Sequence, residues 1–229
     1  ELGNLRIVKG SYLQGWLGSK EEDSGSNKQA EWRTDPKRSG AAGAVGDIGS
    51  HTMHLIEFVT GLECESVAAD LTTFVEGRQL DDDASIMIRM SNNVKGNLSI
   101  SQIATGQENN FTISIYGEKG ALHWSQENPN YARFSKIGCA DQIITRGGVI
   151  QDKNSYAPIR IPPGHPEGYL EGFAQIYSDA ADIILNHKNK NQLLDLLPGG
   201  QSGLQIMKFI NASVNSSKNN SIWTDLSSI

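Results

Sequence analysis

Between residues 67 and 116 the chain alternates apolar and polar side chains so regularly that a sheet is hard to avoid. Val67, Ala69 and Leu71 alternate with Ala68, Asp70 and Thr72, and Ile86, Ile88 and Met90 with Ser85, Met87 and Arg89. Leu98 and Ile100 stand against Ser99 and Ser101, then Phe111, Ile113 and Ile115 against Thr112, Ser114 and Tyr116. A repeat of two puts successive side chains on opposite faces of a strand, so each run has an aliphatic face and a milder, Ser/Thr-rich one. Glu76-Gly77, Asn92-Asn93 and Gly117-Glu118-Lys119-Gly120 supply turn residues between the runs, which predicts an antiparallel meander. Helices are expected on the aliphatic face, with the other face open to water or to subunit contact.

The flanking segments fit that plan. Residues 5–15 read as a strand and 19–27, polar throughout, as an exposed loop. From Asp47, the residues Ile48, His51, Met53, Leu55, Ile56, Phe58 and Val59 suit a short, mostly buried helix that Gly61 stops. Further strands are expected at 121–126, 131–137 and 141–145. The Pro/Gly-rich segment from Pro158 to Gly168 then leads into a helix carrying Leu170, Phe173, Ile176, Tyr177, Ala180, Ile183 and Ile184 at helical spacing. Another helix follows Pro198-Gly199-Gly200, and Trp223 is expected on a short edge strand. Strands grouped together with helices at the ends mean α+β: a large, mostly antiparallel sheet with helices packed on one face. No internal repeat or sharp boundary divides the chain, so 1–229 reads as a single domain.

Composition narrows the function. A net charge of −6 gives no basic footprint for nucleic acid. Asp81-Asp82-Asp83 reads as a solvated turn. No apolar run approaches the ~20 residues of a membrane span. The chain opens on Glu1 with no signal-peptide pattern, so it reads as a piece of something longer or a processed product. Cys64 and Cys139 are unclustered, which fits a reducing, cytoplasmic setting better than a disulfide framework.

The chemistry concentrates in Gly46-Asp47-Ile48-Gly49-Ser50-His51. On a helix, residues four apart stack one turn above another, so Asp47 and His51 share a face. A carboxylate there can hold one imidazole tautomer and raise its basicity for proton transfer. The plainer reading makes Asp47 a helix N-cap and His51 a core histidine with one hydrogen bond. His54 extends the spacing to i, i+4, i+7, so Asp47, His51 and His54 could instead hold a divalent metal in a hydrolase. Tyr12, Trp16 and Trp32 lie upstream and could stack on a sugar ring, while Arg33 could clamp a hydroxyl or carboxylate. Gly164-His165-Pro166-Glu167-Gly168-Tyr169 offers His165 and Glu167 either to a ligand or to the start of a helix. No Gly-x-Gly-x-x-Gly, Walker loop, His-Glu-x-x-His or Gly-x-Ser-x-Gly occurs.

These elements together resemble the C-terminal domain of the glucose–fructose oxidoreductase / inositol dehydrogenase (Gfo/Idh/MocA) family. The likeness rests on Tyr12-Leu13-Gln14-Gly15, Trp32-Arg33-Thr34-Asp35-Pro36 and Gly46-Asp47-Ile48-Gly49-Ser50-His51. It continues through Tyr116-Gly117-Glu118-Lys119-Gly120-Ala121-Leu122-His123-Trp124, Gly164 to Tyr169, and the closing helix with Trp223. The resemblance implies the substrate-binding and oligomerisation half of an NAD- or NADP-dependent sugar or polyol dehydrogenase, inactive without an N-terminal Rossmann domain that this chain does not contain. It makes His51 the general base on a substrate hydroxyl and Asp47 its orienting partner, with the adjacent C–H leaving as hydride to the nicotinamide. Trp32, Arg33, Tyr12, His54 and His165 become candidate substrate contacts, and family members often carry Asp where this chain has His54. The family's open sheet commonly packs on another subunit's sheet, which implies a homo-oligomer. The remaining alternative is a sugar-binding module without catalysis.

Overall fold

The computed structural model describes residues 1–147, 159–185 and 190–229, so Pro158 lies outside the described residues. Strand β1 (Leu5–Leu13) is followed by two short helices, α1 (Lys28–Arg33) and α2 (Pro36–Ser39), and then by α3 (Ser50–Thr60). The meander comprises β2 (Cys64–Thr72), β3 (Asp83–Met90), β4 (Lys95–Ser101), β5 (Asn110–Gly117), β6 (Gly120–Ser125), β7 (Tyr131–Lys136) and β8 (Gln142–Thr145). Helices α4 (Tyr169–Ile184), α5 (Lys190–Leu196) and α6 (Gly200–Lys218) precede the edge strand β9 (Thr224–Asp225).

All nine described strands form one sheet in the order β8-β7-β6-β5-β1-β4-β3-β2-β9. Strand β1 enters its middle, parallel to β4 and antiparallel to β5, and the remaining pairs are antiparallel. The fold is α+β, as the alternation requires. Ile86, Ile88, Leu98, Ile100 and Ile113 are buried with Val8 beneath Met53 and Ile56 of α3 and Phe209 of α6. Each such side chain taken out of water contributes about 1.5–3 kcal/mol before its ordering entropy is counted. Helix α3 lies close on β1 because Gly10 has no side chain; a Cβ there would meet the Thr52 methyl at 2.5 Å.

The opposite face is polar. Ser85, Ser99, Asn97 and Lys9 are exposed, and Arg89 lies against the Trp223 ring at 3.8 Å from its centroid. Two expectations about burial need correction. Phe58 and Val59 of α3 are exposed, so only one side of that helix is buried. Helix α4 has the expected spacing, yet Leu170 is 75% and Tyr177 74% exposed, because periodicity reports a helix and not what covers it.

The acidic run is also corrected. Asp81 accepts the backbone N–H groups of Gly43 and Val45 at 2.7 and 2.8 Å. Asp82, 2% exposed, accepts those of Phe74 and Val75 and lies 3.6 Å from the buried Arg78 guanidinium. Both residues are internal fasteners and not a solvated turn. Gly43 permits the first of these contacts, since a Cβ there would stand 2.1 Å from the Asp81 carbonyl oxygen. Among the described residues no helix is long and apolar enough to cross a membrane.

Candidate functional site

The helix bearing Asp47 and His51 starts earlier than its spacing suggests. A π-helical turn, Val45–Gly49, precedes α3, and the Ser50 N–H reaches back to the Val45 carbonyl. Such widened turns are often found at functional positions. Asp47 therefore lies within the helical run and is not its N-cap. Its carboxylate reaches sideways: Oδ2 accepts from Arg33 Nε at 2.8 Å and from Gln102 Nε2 at 2.7 Å.

Arg33 is held from several sides. Its Nη1 donates to Gln29 Oε1, and its guanidinium lies 4.3 Å from the Trp32 ring centroid and 5.9 Å from that of Trp16. Cation–π contacts of this kind restrain the planar group without consuming its donors. With Nε and Nη1 engaged inside the protein, Arg33 is tied first to Asp47 and to Gln29.

His51 is exposed on the next turn, its ring centroid 6.4 Å from that of Tyr12 with the two planes at 61°. Tyr12 stacks on Phe111 at 4.7 Å, and its hydroxyl donates to Asn109 Oδ1 at 2.8 Å. Gln14 Nε2 donates to the same oxygen, and Trp16 Nε1 donates to Gln14 Oε1 at 3.0 Å. A polar rim thus runs from Trp16 through Gln14 and Asn109 to Tyr12 and ends against His51. No hydrogen bond joins Asp47 to His51 among the described residues.

Among the described residues three cavities border this helix, one of them of about 280 Å³ beside His54, Glu57 and Phe58. Asp47 and Trp32 line another, about 260 Å³, with Met207 and Asn211 of α6. His51 and His54 line the third, about 250 Å³, with Ser202 and Ile206. Partial burial, with the neighbouring His51 second, lowers the His54 pKa below the ordinary histidine value, so His54 favours its neutral form. His165 lies elsewhere, in a cavity of about 590 Å³ with Glu127, Asn130, Arg146 and Glu171. One described link connects the two regions: Glu127 Oε1 accepts the Asn109 N–H at 3.1 Å. Among the described residues no group of three or more His, Cys, Asp or Glu side chains is placed to hold a metal, so Asp47, His51 and His54 do not form the metal site considered from their spacing.

The model of the GFO/IDH/MocA C-terminal domain matches residues 1–123, more than half of the chain. The chain belongs to the Gfo/Idh/MocA family. An oxidoreductase from Sinorhizobium meliloti is 39% identical with a TM-score of 0.79, covering 97% of this chain and 57% of that one. An inositol dehydrogenase homolog from Azotobacter vinelandii, solved with NAD+, has a TM-score of 0.88 at 25% identity, covering 98% and 58%. Among sequence relatives, levoglucosan dehydrogenase of Pseudarthrobacter phenanthrenivorans is 26% identical over 73% of this chain and 44% of its own length. The oxidoreductase YfiI of Bacillus subtilis is 27% identical over 98% of this chain and 58% of its own. The chain thus spans about half the length of these relatives.

Within this Gfo/Idh/MocA domain three site residues escaped motif reading: Gln14, Gln102 and Asn109. Uncharged amides carry no spacing signature. Gln14 was within reach, because it belongs to the Tyr12-Leu13-Gln14-Gly15 element; Gln102 and Asn109 lie just beyond strand ends, and only the register of β1, β4 and β5 brings them to the site.

Proposed function

We propose that this chain is the substrate-binding half of an NAD(P)-dependent oxidoreductase acting on a CH–OH group of a sugar or polyol. The observation that carries this reading is the placement of an exposed imidazole, His51, beside the Tyr12–Asn109–Gln14–Trp16 rim. Closely spaced donors and acceptors beside indole and phenol faces suit a ring that carries several hydroxyls. The inositol dehydrogenase homolog and levoglucosan dehydrogenase among its relatives support the same substrate class.

The dinucleotide does not fit these residues. They contain no glycine fingerprint, and the sheet is almost wholly antiparallel where a dinucleotide fold presents parallel strands and a helix N-terminus. The nicotinamide, bound by other parts of the whole protein, would accept the hydrogen and electron pair from the carbinol carbon. This chain's part is the proton. An imidazole nitrogen of His51 takes it from the substrate hydroxyl, beside the Tyr12 ring. Asp47, held by Arg33 and Gln102, is assigned a substrate-facing role beside it. Trp32, His54 and His165 are assigned secondary contacts.

We also infer that the open sheet face mediates self-association, since Ser85, Met87, Asn97 and Ser99 lie uncovered on it. With both cysteines free, we place the protein in the cytoplasm. The test is turnover with NAD+ or NADP+ against a panel of inositols, hexoses and anhydrosugars. The whole protein should reduce the nicotinamide and sediment as an oligomer, and the 229-residue chain alone should give no turnover. In the whole protein His51→Ala should lower kcat by roughly 10²–10⁴-fold. A near-normal rate removes His51 from this role, and turnover by the isolated chain overturns the division of labour.

A further inference from the structure

Several carboxylates of this protein engage both oxygens, and others, such as Asp35 and Glu31, accept a single bond on one. Asp81 engages both of its oxygens, Oδ1 with the Gly43 N–H and Oδ2 with the Val45 N–H. Asp82 does likewise with Phe74 and Val75, and Asp141 with Ser135 and Arg133. Asp47 differs. Arg33 and Gln102 both donate to Oδ2, and Oδ1 receives no hydrogen bond from the described residues, although the side chain lines a cavity. The Asp47 side chain is about a fifth exposed, so Oδ1 is open to solvent or to a ligand and is not stranded in the interior. Doubling the donors on one oxygen leaves the other available.

Gln102 is the less expected donor. It is 2% exposed, and burying a long amide costs both solvation and rotamer freedom. Its backbone is fixed on both sides: its N–H donates to the Asp82 carbonyl at 2.9 Å, and its carbonyl accepts from the Leu17 N–H at 3.0 Å. The side chain therefore leaves a rigid point just past the end of β4 and reaches Asp47 at 2.7 Å. Arg33 arrives from α1, on a different element, so the carboxylate is braced from two directions.

We propose that Gln102 is a positioning residue for the reaction: with Arg33 it fixes Asp47 through Oδ2 so that Oδ1 is presented to a substrate hydroxyl. The proposal rests on the oxidoreductase reading above. It does not require Gln102 to touch substrate, and its energetic signature is coupling to Asp47.

A double-mutant cycle in the whole protein tests it, with myo-inositol and NAD+ as the first probe pair and the hexose and anhydrosugar panel next. Gln102→Met keeps the length and removes the donor. In the wild-type background it should lower kcat/KM by roughly 10- to 100-fold, the loss expected for one hydrogen bond to a charged group. In the Asp47→Asn background the same change should have almost no further effect, because the group it positions is already disabled. A merely structural role would add its loss in both backgrounds. Equal losses in the two backgrounds, or no loss in the wild type, overturn the proposal while leaving the oxidoreductase reading standing. An Asp47→Asn protein of normal activity overturns the proposal together with the role given to Asp47. Thermal unfolding of each variant guards against misfolding, and Gln102→Glu, which places a carboxylate against Asp47, should lose at least as much activity as Gln102→Met.

Discussion

Asp82 and Asp47 are both joined to Gln102, the first through its backbone carbonyl and the second through its carboxylate. Asp82 is buried, engages both carboxylate oxygens with loop amides and faces the Arg78 guanidinium. Asp47 is partly exposed, concentrates its donors on one oxygen and borders a cavity. The same side chain thus serves as a fastener in one place and as an instrument in the other. What separates them is the number of lone pairs left for something outside the protein. Stability should depend mostly on the first and activity on the second.

The largest expected effect is on Asp82. Asp82→Ala strips two amides of their acceptor and removes one of the two carboxylates beside Arg78, whose side chain is almost fully buried; Glu22 remains. Removing one member of a buried pair typically costs about 3–5 kcal/mol. Urea unfolding of the chain should show a midpoint lowered to that extent. A loss below about 1 kcal/mol would mean that loop amides and guanidinium find water instead, and the contrast with Asp47 would fail.

Asp81 sharpens the comparison through pH. Burial raises its pKa above the ordinary carboxyl value of 3.8, although the amides of Val45 and Gly43 work against that shift. A folded-state value above the unfolded one means that the native protein binds more protons across the window between them. Stability from this group is therefore fully present below the unfolded value and declines as pH rises through the folded one. Asp81→Asn should flatten that part of the stability profile and lose about 1 kcal/mol at neutral pH, because one of the two amides then faces an NH2 group. An unchanged slope in urea midpoints would show that the carboxyl is not the group responsible.

How much of this was legible before the structure follows from what kind of signal each residue gives. Alternation in β3 and β5 is enforced by burial on one face, so those strands and their inward residues could be read directly, whereas Ala68 of β2 and Ser101 of β4, read as outward, are buried. Gly61 marked the helix end because a left-handed cap favours glycine, and its φ of 67° agrees. The acidic run misled because charge alone says nothing about which amides the folded chain brings round to it. Asp47 looked like a cap because the π turn at Val45–Gly49 has no sequence signature. The α4 stripe announced a helix, but spacing cannot name a partner for Tyr177 or Leu170. Gln102 remained hidden because its role depends on where β4 ends relative to α3, a tertiary fact.

The smallest stability effect belongs to Asp47, and it gives the comparison its sharpest test. In Asp47→Asn the amide oxygen can still accept from both Arg33 and Gln102, so the brace survives with weaker, uncharged acceptance. The ion pair is partly exposed, with about a fifth of each side chain open to solvent, and pairs in such settings contribute roughly 0–1 kcal/mol. The urea midpoint of the chain should accordingly move by no more than about that amount. What changes is the other position, where an NH2 group replaces the oxygen that accepts no bond from the described residues. A substrate hydroxyl that donated there meets a donor instead, and kcat/KM in the whole protein should fall by roughly 10- to 100-fold. Little change in folding with a large change in turnover is the reverse of what Asp82→Ala should show. If Asp47→Asn destabilised the chain as much as Asp82→Ala, the one-sided hydrogen bonding of Asp47 would be a fastener of another kind, and the argument from its unbonded oxygen would fall.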